Sequence, residues 1–244
     1  MTFTLASSCI IPAMKNSDSI SKAADSPTGD ANSLLSNPIE GIPFERVVII
    51  HGYGAIPTDH WLPWLSRAVP VAEAVELPDP LSPEAASWVF SVTEAIGSLS
   101  PTTAVVTHSL GGLTALLAIQ RLVKRNAVQA RDRGGASNDA RLGAFIAVAP
   151  FASELPLSGD DGVDQFLLSN FSNFIANDPF SNPHVFGRAT VIRSDNDPIV
   201  PPDLSEKFAA RIGARTVTVH GAGHFLTSDG FTELPEVLEA LSAA

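Results

Sequence analysis

Cysteine is almost missing from this chain of 244 residues, with Cys9 the single one. One thiol forms no internal disulfide, and Cys9 has no cluster of metal-ligand neighbours, so neither a disulfide framework nor a thiolate metal site is expected. Basic residues are also scarce. The 15 Lys and Arg are outnumbered by 26 Asp and Glu, for a formal charge of −11 and a pI near 4.8. Phosphate binding needs a positive footprint, and these cations are scattered, so nucleic acid is excluded as a partner. No apolar run reaches the roughly 20 residues that a spanning helix requires, so no membrane partner is expected. The opening stretch "MTFTLASSCIIPAM" carries no basic residue before Lys15, which leaves a secretory signal without its charged start and points to a cytoplasmic protein.

What the chain does have is core material: 45% of its residues are hydrophobic and only 17% charged. Residues 1–43 hold eight serines and no sustained period, the pattern of a poorly ordered extension. From 44 to 244, short β-branched runs alternate with amphipathic segments, which predicts one domain of βαβ units around a mostly parallel sheet flanked by helices. The strand candidates are "FERVVIIHG", "VAEAVELP", "TTAVVTHS", "RLGAFIAVAP", "RATVIRSD" and "ARTVTVHG". Several are almost continuously apolar, as strands covered on both faces are.

The helices between them bring their own punctuation. Ser82, followed by Pro83 and Glu84, reads as an N-cap and first turn, and Gly213 sits where a helix from about Asp203 to Ile212 should stop. A last helix from about Glu233 places Leu234, Val237, Leu238 and Leu241 on one face. Two segments interrupt the alternation. "RNAVQARDRGGASND", 125–139, reads as an exposed loop. Residues 152–187 contain Phe166, Phe171, Phe174, Phe180 and Phe186 with no strand period, and read as a small cap over the sheet's C-terminal edge, where open α/β sheets bind ligands.

Chemistry concentrates in "AVVTHSLGGLTALLAI", which runs from apolar strand to apolar helix with Ser109 at the corner. A serine there either caps the helix or stands exposed on a strained turn as a nucleophile, the G-x-S-x-G logic with Thr107 in place of the first glycine. A serine nucleophile needs a base, a group that orients the base, and amide donors for the oxyanion. The base is expected on a late loop. "TVTVHGAGHF" offers His220, still within the alternating strand, and His224, beyond its end and preferred. "VIRSDNDPIV" supplies Asp195 and Asp197 for the orienting carboxylate. Pro198 favours extended geometry at Asp197, and hence Asp197 over Asp195. One oxyanion amide is expected from Leu110, at the helix N-terminus. The second is expected from the glycine turn "HGYG", at Tyr53 with Gly54 as the alternative. His51, His108 and His184 lack the spacing and companions of metal ligands, so no metal is assigned.

The order Ser109, Asp197, His224, together with the strand–helix alternation, resembles the α/β-hydrolase fold. More closely, "VVIIHGYG" with "DHWLPWL", "HSLGG", "SDNDPIVPPDLSEKFAARIGA" and "GAGHFLTSDGFTELPEVLEAL" resemble the retinoblastoma-binding protein/YdeN-like family of small serine hydrolases over residues 45–244. The resemblance implies a nucleophile at Ser109, an acid at Asp197 and a base at His224. It departs at Thr107, which is glycine in the usual pattern, and in the N-terminal extension and the 125–139 segment. The implied activity is cleavage of a small-molecule ester or amide through an acyl-enzyme without a cofactor. A short-chain ester is the expected substrate; His60, Trp61, Trp64 and the cap phenylalanines either line an apolar acyl or alcohol site or pack the cap and first helix onto the sheet. The competing reading is a non-catalytic interaction protein on the same fold. Oligomeric state is not legible in the sequence.

Overall fold

The structure, a computed structural model, describes residues 41–132, 140–176 and 178–243. The expected extension at 1–43 lies outside the described residues except for its last three, among which Ile42 packs against the core. Residues 133–139 lie outside as well.

All six sequence-predicted strands form: β1 (Arg46–Ile50), β2 (Ala72–Val75), β3 (Thr103–His108), β4 (Leu142–Val148), β5 (Phe186–Ser194) and β6 (Arg215–Val219). They join in one sheet, in the order β2-β1-β3-β4-β5-β6, with every pairing parallel. Residues along a strand point alternately to the two faces. Val48, Ile50, Val105 and Phe145 therefore enter one core with α2 (Ala85–Ile96), α3 (Leu110–Asp132) and α6 (Pro202–Ile212). Val47, Ile49, Val106 and Ile146 enter a second core with α1 (Leu62–Ala68) and α7 (Pro235–Ser242). Two-sided burial is why these strands read as unbroken apolar runs, each fully buried Val or Ile contributing roughly 1.5–3 kcal/mol.

The strand order also fixes where a ligand fits. After β1 the chain turns to the α1 face and pairs β2 on one side of β1; after β3 it turns to the α2–α3–α6 face and continues on the other side. The loops after β1 and β3 thus diverge, opening a crevice at the carboxyl ends of two adjacent strands.

Gly213 ends α6 as expected, at φ 65° in the left-handed region. The last helix buries Val237, Leu238 and Leu241. Two expectations are corrected. Residues 125–132 are not loop but the last two turns of α3; Ala127, Gln129, Ala130 and Arg131 are strong helix formers, and no glycine or proline interrupts the chain before Gly134. Ser82 is not a cap. Its amide donates to the Asp79 carbonyl at 2.8 Å, while the Gly54 amide and the Trp88 indole N–H hold the Pro80 and Pro78 carbonyls, so the helix begins only at Ala85, once the chain clears that turn.

Candidate active site

Ser109 follows the last residue of β3 with φ 53°, a left-handed conformation that a non-glycine side chain adopts only when its surroundings enforce it. Here they do. The Ser109 amide donates to the Val148 carbonyl at 2.8 Å and its carbonyl accepts from the Gly112 amide at 2.9 Å. The elbow also needs close backbone approach. A Cβ on Gly111 would stand 2.6 Å from the His51 carbonyl oxygen, and one on Gly52 2.9 Å from the Ser109 Cβ. Thr107 is fully buried, and its hydroxyl lies beside Gly112, which leaves the room a side chain at 107 requires.

The loop after β5 is tied residue by residue to the loop after β6. The Asp195 carboxylate meets the His220 ring at 2.7 Å and the Gly221 amide at 2.8 Å. The Ser194 hydroxyl accepts from the Ala222 amide, and the Asn196 side-chain oxygen from the Gly223 amide. Asp197 then meets His224 Nδ1 at 2.7 Å. The two Asp–His alternatives of the sequence are thus both real pairs, with different surroundings. The His220 side chain is 83% exposed, whereas those of His224 and Asp197 are 5% and 2% exposed.

Asp197 Oδ1 accepts the Ile199 and Val200 amides, both at 2.8 Å, which leaves Oδ2 for the Nδ1–H of His224. With its proton on Nδ1, the ring turns an unprotonated Nε2 toward Ser109 Oγ, 3.0 Å away. Asp229 steadies this loop by accepting the His224 and Leu226 amides at 2.9 and 3.0 Å, packed so tightly over Gly223 that a Cβ there would lie 2.6 Å from its Cγ.

Three other histidines surround the cluster. His108 Nε2–H donates to the His224 carbonyl at 2.9 Å, and burial, reinforced by the neighbouring His224 ring, holds its pKa well below the ordinary imidazole value. His60 Nδ1 accepts the Thr227 amide at 3.1 Å, so its own proton sits on Nε2; burial lowers this pKa too. His51 accepts the Leu77 amide at Nε2 and donates Nδ1–H to the Gly52 carbonyl, again with a pKa lowered by burial. All three brace neighbouring backbone groups. Among the described residues no group of three or more His, Cys, Asp or Glu is placed to hold a metal ion. His184 lies apart, in the turn before β5.

The Gly54 amide is committed to the Pro80 carbonyl, whereas the amides of Tyr53 and Leu110 donate to no protein acceptor among the described residues. Residues 47–243 match the family described as serine hydrolase. The chain belongs to this family. The hydrolase is 32% identical over 203 residues to YdeN of Bacillus subtilis (strain 168), a match spanning 82% of this chain and 95% of YdeN. It superposes on the crystal structure of the ydeN gene product with a TM-score of 0.63, over 82% of this chain and 97% of that one. Est1E from Butyrivibrio proteoclasticus, 14% identical, gives a TM-score of 0.54 over 83% of this chain and 87% of Est1E, a likeness of fold. The fold of the hydrolase is the α/β-hydrolase fold, as the sequence motifs imply.

Ser109 and His224 open onto a cleft of about 380 Å³ at the crevice between the β1 and β3 loops. Its walls are Tyr53 stacked on Phe166 at 4.9 Å, with Leu81, Phe151, Leu167 and Ile199; Asp59 and Asp160 also line it, and among the described residues no Lys or Arg does. A larger cavity, about 690 Å³ between α2 and α3, contains none of these residues. Of the aromatics expected here, His60 and Phe166 line the cleft. Trp61 is wholly buried in the core below and Trp64 packs against that core; Phe171 and Phe174 are core residues, Phe180 packs on Phe208, and Phe186 stacks on Phe145. Leu81, Phe151 and Ile199 escaped the sequence reading, since each is a lone apolar residue in a loop with no period to announce it.

Proposed function

We propose that Ser109 is the nucleophile, His224 the general base and Asp197 the group that orients it, in an enzyme that cleaves a small neutral carboxylic ester. The observation that carries this reading is the continuous relay from the Ile199 and Val200 amides through Asp197 and His224 to Ser109 Oγ, on a residue held at φ 53°. Ser109 Oγ attacks the carbonyl carbon as its proton passes to His224 Nε2. The oxyanion is received by the free amides of Tyr53 and Leu110. Collapse expels the alcohol, which takes the proton from Nε2 and leaves an acyl-Ser109 ester. A water then gives a proton to Nε2 and attacks the acyl carbon, releasing the acid and restoring the serine. Asp197 keeps the imidazole tautomer and stabilises the imidazolium that forms twice per turnover.

The apolar walls, with Asp59 and Asp160 as the carboxylates of the lining, favour an uncharged substrate over an anionic one. The segment 152–187, whose helix α4 (Asp161–Ser169) brings Phe166 and Leu167 to the cleft wall, serves as the cap of a single domain that begins near residue 44. Within the family, the sequence motifs and the match to YdeN favour the retinoblastoma-binding protein/YdeN-like group. A fluorophosphonate probe tests the assignment: covalent labelling of the wild type and none of Ser109→Ala is the expected result. An unlabelled wild type refutes it in favour of a non-catalytic protein on this fold.

A further inference from the structure

The cleft does not end at its apolar wall. Leu155 and Leu167, which face Ser109's cleft, also line an adjoining groove of about 400 Å³ with Leu157, Leu168, Phe171 and Ile175, and with Glu154 and Ser172 as its polar members. The groove's outer lip is exposed: Leu157 is 60% and Leu168 77% accessible, and Leu81, 73% accessible, stands at the cleft itself. Large apolar residues left open on several neighbouring turns mark a surface built to meet something apolar. A medium-length unbranched chain in extended form is long rather than bulky, and reaches the wall of a 380 Å³ cleft before it fills it. The two shared leucines are where the cleft and the groove adjoin.

We propose that this groove is a chain-binding subsite, and that the preferred substrates are esters carrying a linear aliphatic chain of medium length, whose far end crosses Leu155 and Leu167 to lie against Leu157, Leu168 and Ile175. The inference rests on the ester reading of the site and narrows it, replacing the short-chain substrate expected from sequence. A rival role for the lip as an attachment face for another macromolecule makes no demand on chain length. The acyl and the alcohol chain offer the same chemistry, and substrates varied at one end at a time distinguish them.

The test measures kcat/KM of the full-length protein on p-nitrophenyl acetate, butyrate, hexanoate and octanoate, and on acetate esters of alcohols of matching length, all below the concentrations at which they aggregate. Full burial of a methylene is a factor of about four, and half-burial in an open groove about two, so octanoate should exceed butyrate roughly tenfold if the acyl end occupies the groove. The same rise along the alcohol series assigns that end instead. Leu157→Asp and Leu168→Asp, at exposed positions, should reduce the octanoate-to-acetate ratio about tenfold, while Phe90→Ser, an exposed change on α2, should leave the ratio unchanged. Ser109-dependent hydrolysis that is flat or falling with length in both series overturns the subsite and leaves the hydrolase reading intact, as does a rise that both aspartate variants preserve. Absence of any ester hydrolysis together with absence of probe labelling overturns the reading of the site itself.

Discussion

Replacing Asp197 by Asn changes one atom, and the hydrogen bonds around that atom determine the cost. The carboxylate accepts three N–H groups, from Ile199 and Val200 at Oδ1 and from His224 at Oδ2. An asparagine has one oxygen. If that oxygen stays with the two backbone amides, the NH2 group faces Nδ1 and requires the histidine proton to move to Nε2, where it blocks acceptance of the serine proton. If the side chain flips to preserve the tautomer, its NH2 meets two buried amides and leaves both unpaired, at roughly 1–3 kcal/mol each. The productive arrangement is therefore disfavoured by about 2–6 kcal/mol, and kcat should fall by about 10² to 10⁴, the upper end being the loss typical of a triad held in the wrong tautomer. Because two of the three contacts survive in the favoured arrangement, the thermal midpoint should move little. Steady-state hydrolysis of a p-nitrophenyl ester, with circular dichroism as the folding control, measures both. A folded Asp197→Asn variant that keeps more than a tenth of wild-type turnover refutes the argument.

Other perturbations act through the same geometry. Gly111→Ala puts a Cβ at 2.6 Å from the His51 carbonyl and 2.7 Å from that of Ile50, so urea denaturation should show a loss of about 1–3 kcal/mol, and the strained elbow should lose activity with it. His108→Phe leaves the buried His224 carbonyl unpaired and should lower kcat at least tenfold, whereas His108→Gln, which retains an N–H donor, should recover part of the loss. The folded-state pKa of His108 lies well below its unfolded value of 6.5, so the unfolded chain takes up the proton first; the stability this residue contributes is present above pH 6.5 and is lost as the pH falls. Urea midpoints measured from pH 7.5 down to 5 should therefore decline, with up to about 1.4 kcal/mol per pH unit of that slope due to His108 and absent from His108→Gln.

The parts legible in the sequence are those set by strictly local physics. Strands covered on both faces write themselves as apolar runs, and all six did. The sharp turn at Ser109 was recognisable from the buried strand before it and the glycine pair after it, and Thr107 proves sterically possible there because Gly112 yields the space. Contacts made to backbone groups were not legible. The start of α2 is delayed by bonds from Gly54 and Trp88, residues that a local reading of Ser82-Pro83-Glu84 does not consult. Asp229, His51 and His60 brace the site through backbone amides and carbonyls up to 167 positions away, contacts for which a sequence carries no periodic signal.

The sequence prefers Asp197 over Asp195 through Pro198, and His224 over His220 through its place beyond the strand end; the structure adds a second physical difference between the two pairs. Both pairs close at 2.7 Å, and both bridge the same two loops, so distance does not separate them. Surroundings do. His224 reaches Ser109 from a buried pairing with Asp197, the two side chains 5% and 2% exposed, and that pairing sets the ring's tautomer. His220 stands in water at 83% exposure, where either tautomer is solvated and an ion pair is screened and contributes little. Asp195 keeps a structural bond to the Gly221 amide whichever residue occupies 220. His220→Ala should therefore retain turnover within about twofold, in the assay in which His224→Ala falls by several orders of magnitude. If the two alanine variants lost comparable activity in the folded state, burial would not be what separates the pairs, and the assignment of the base to position 224 would lose its physical ground.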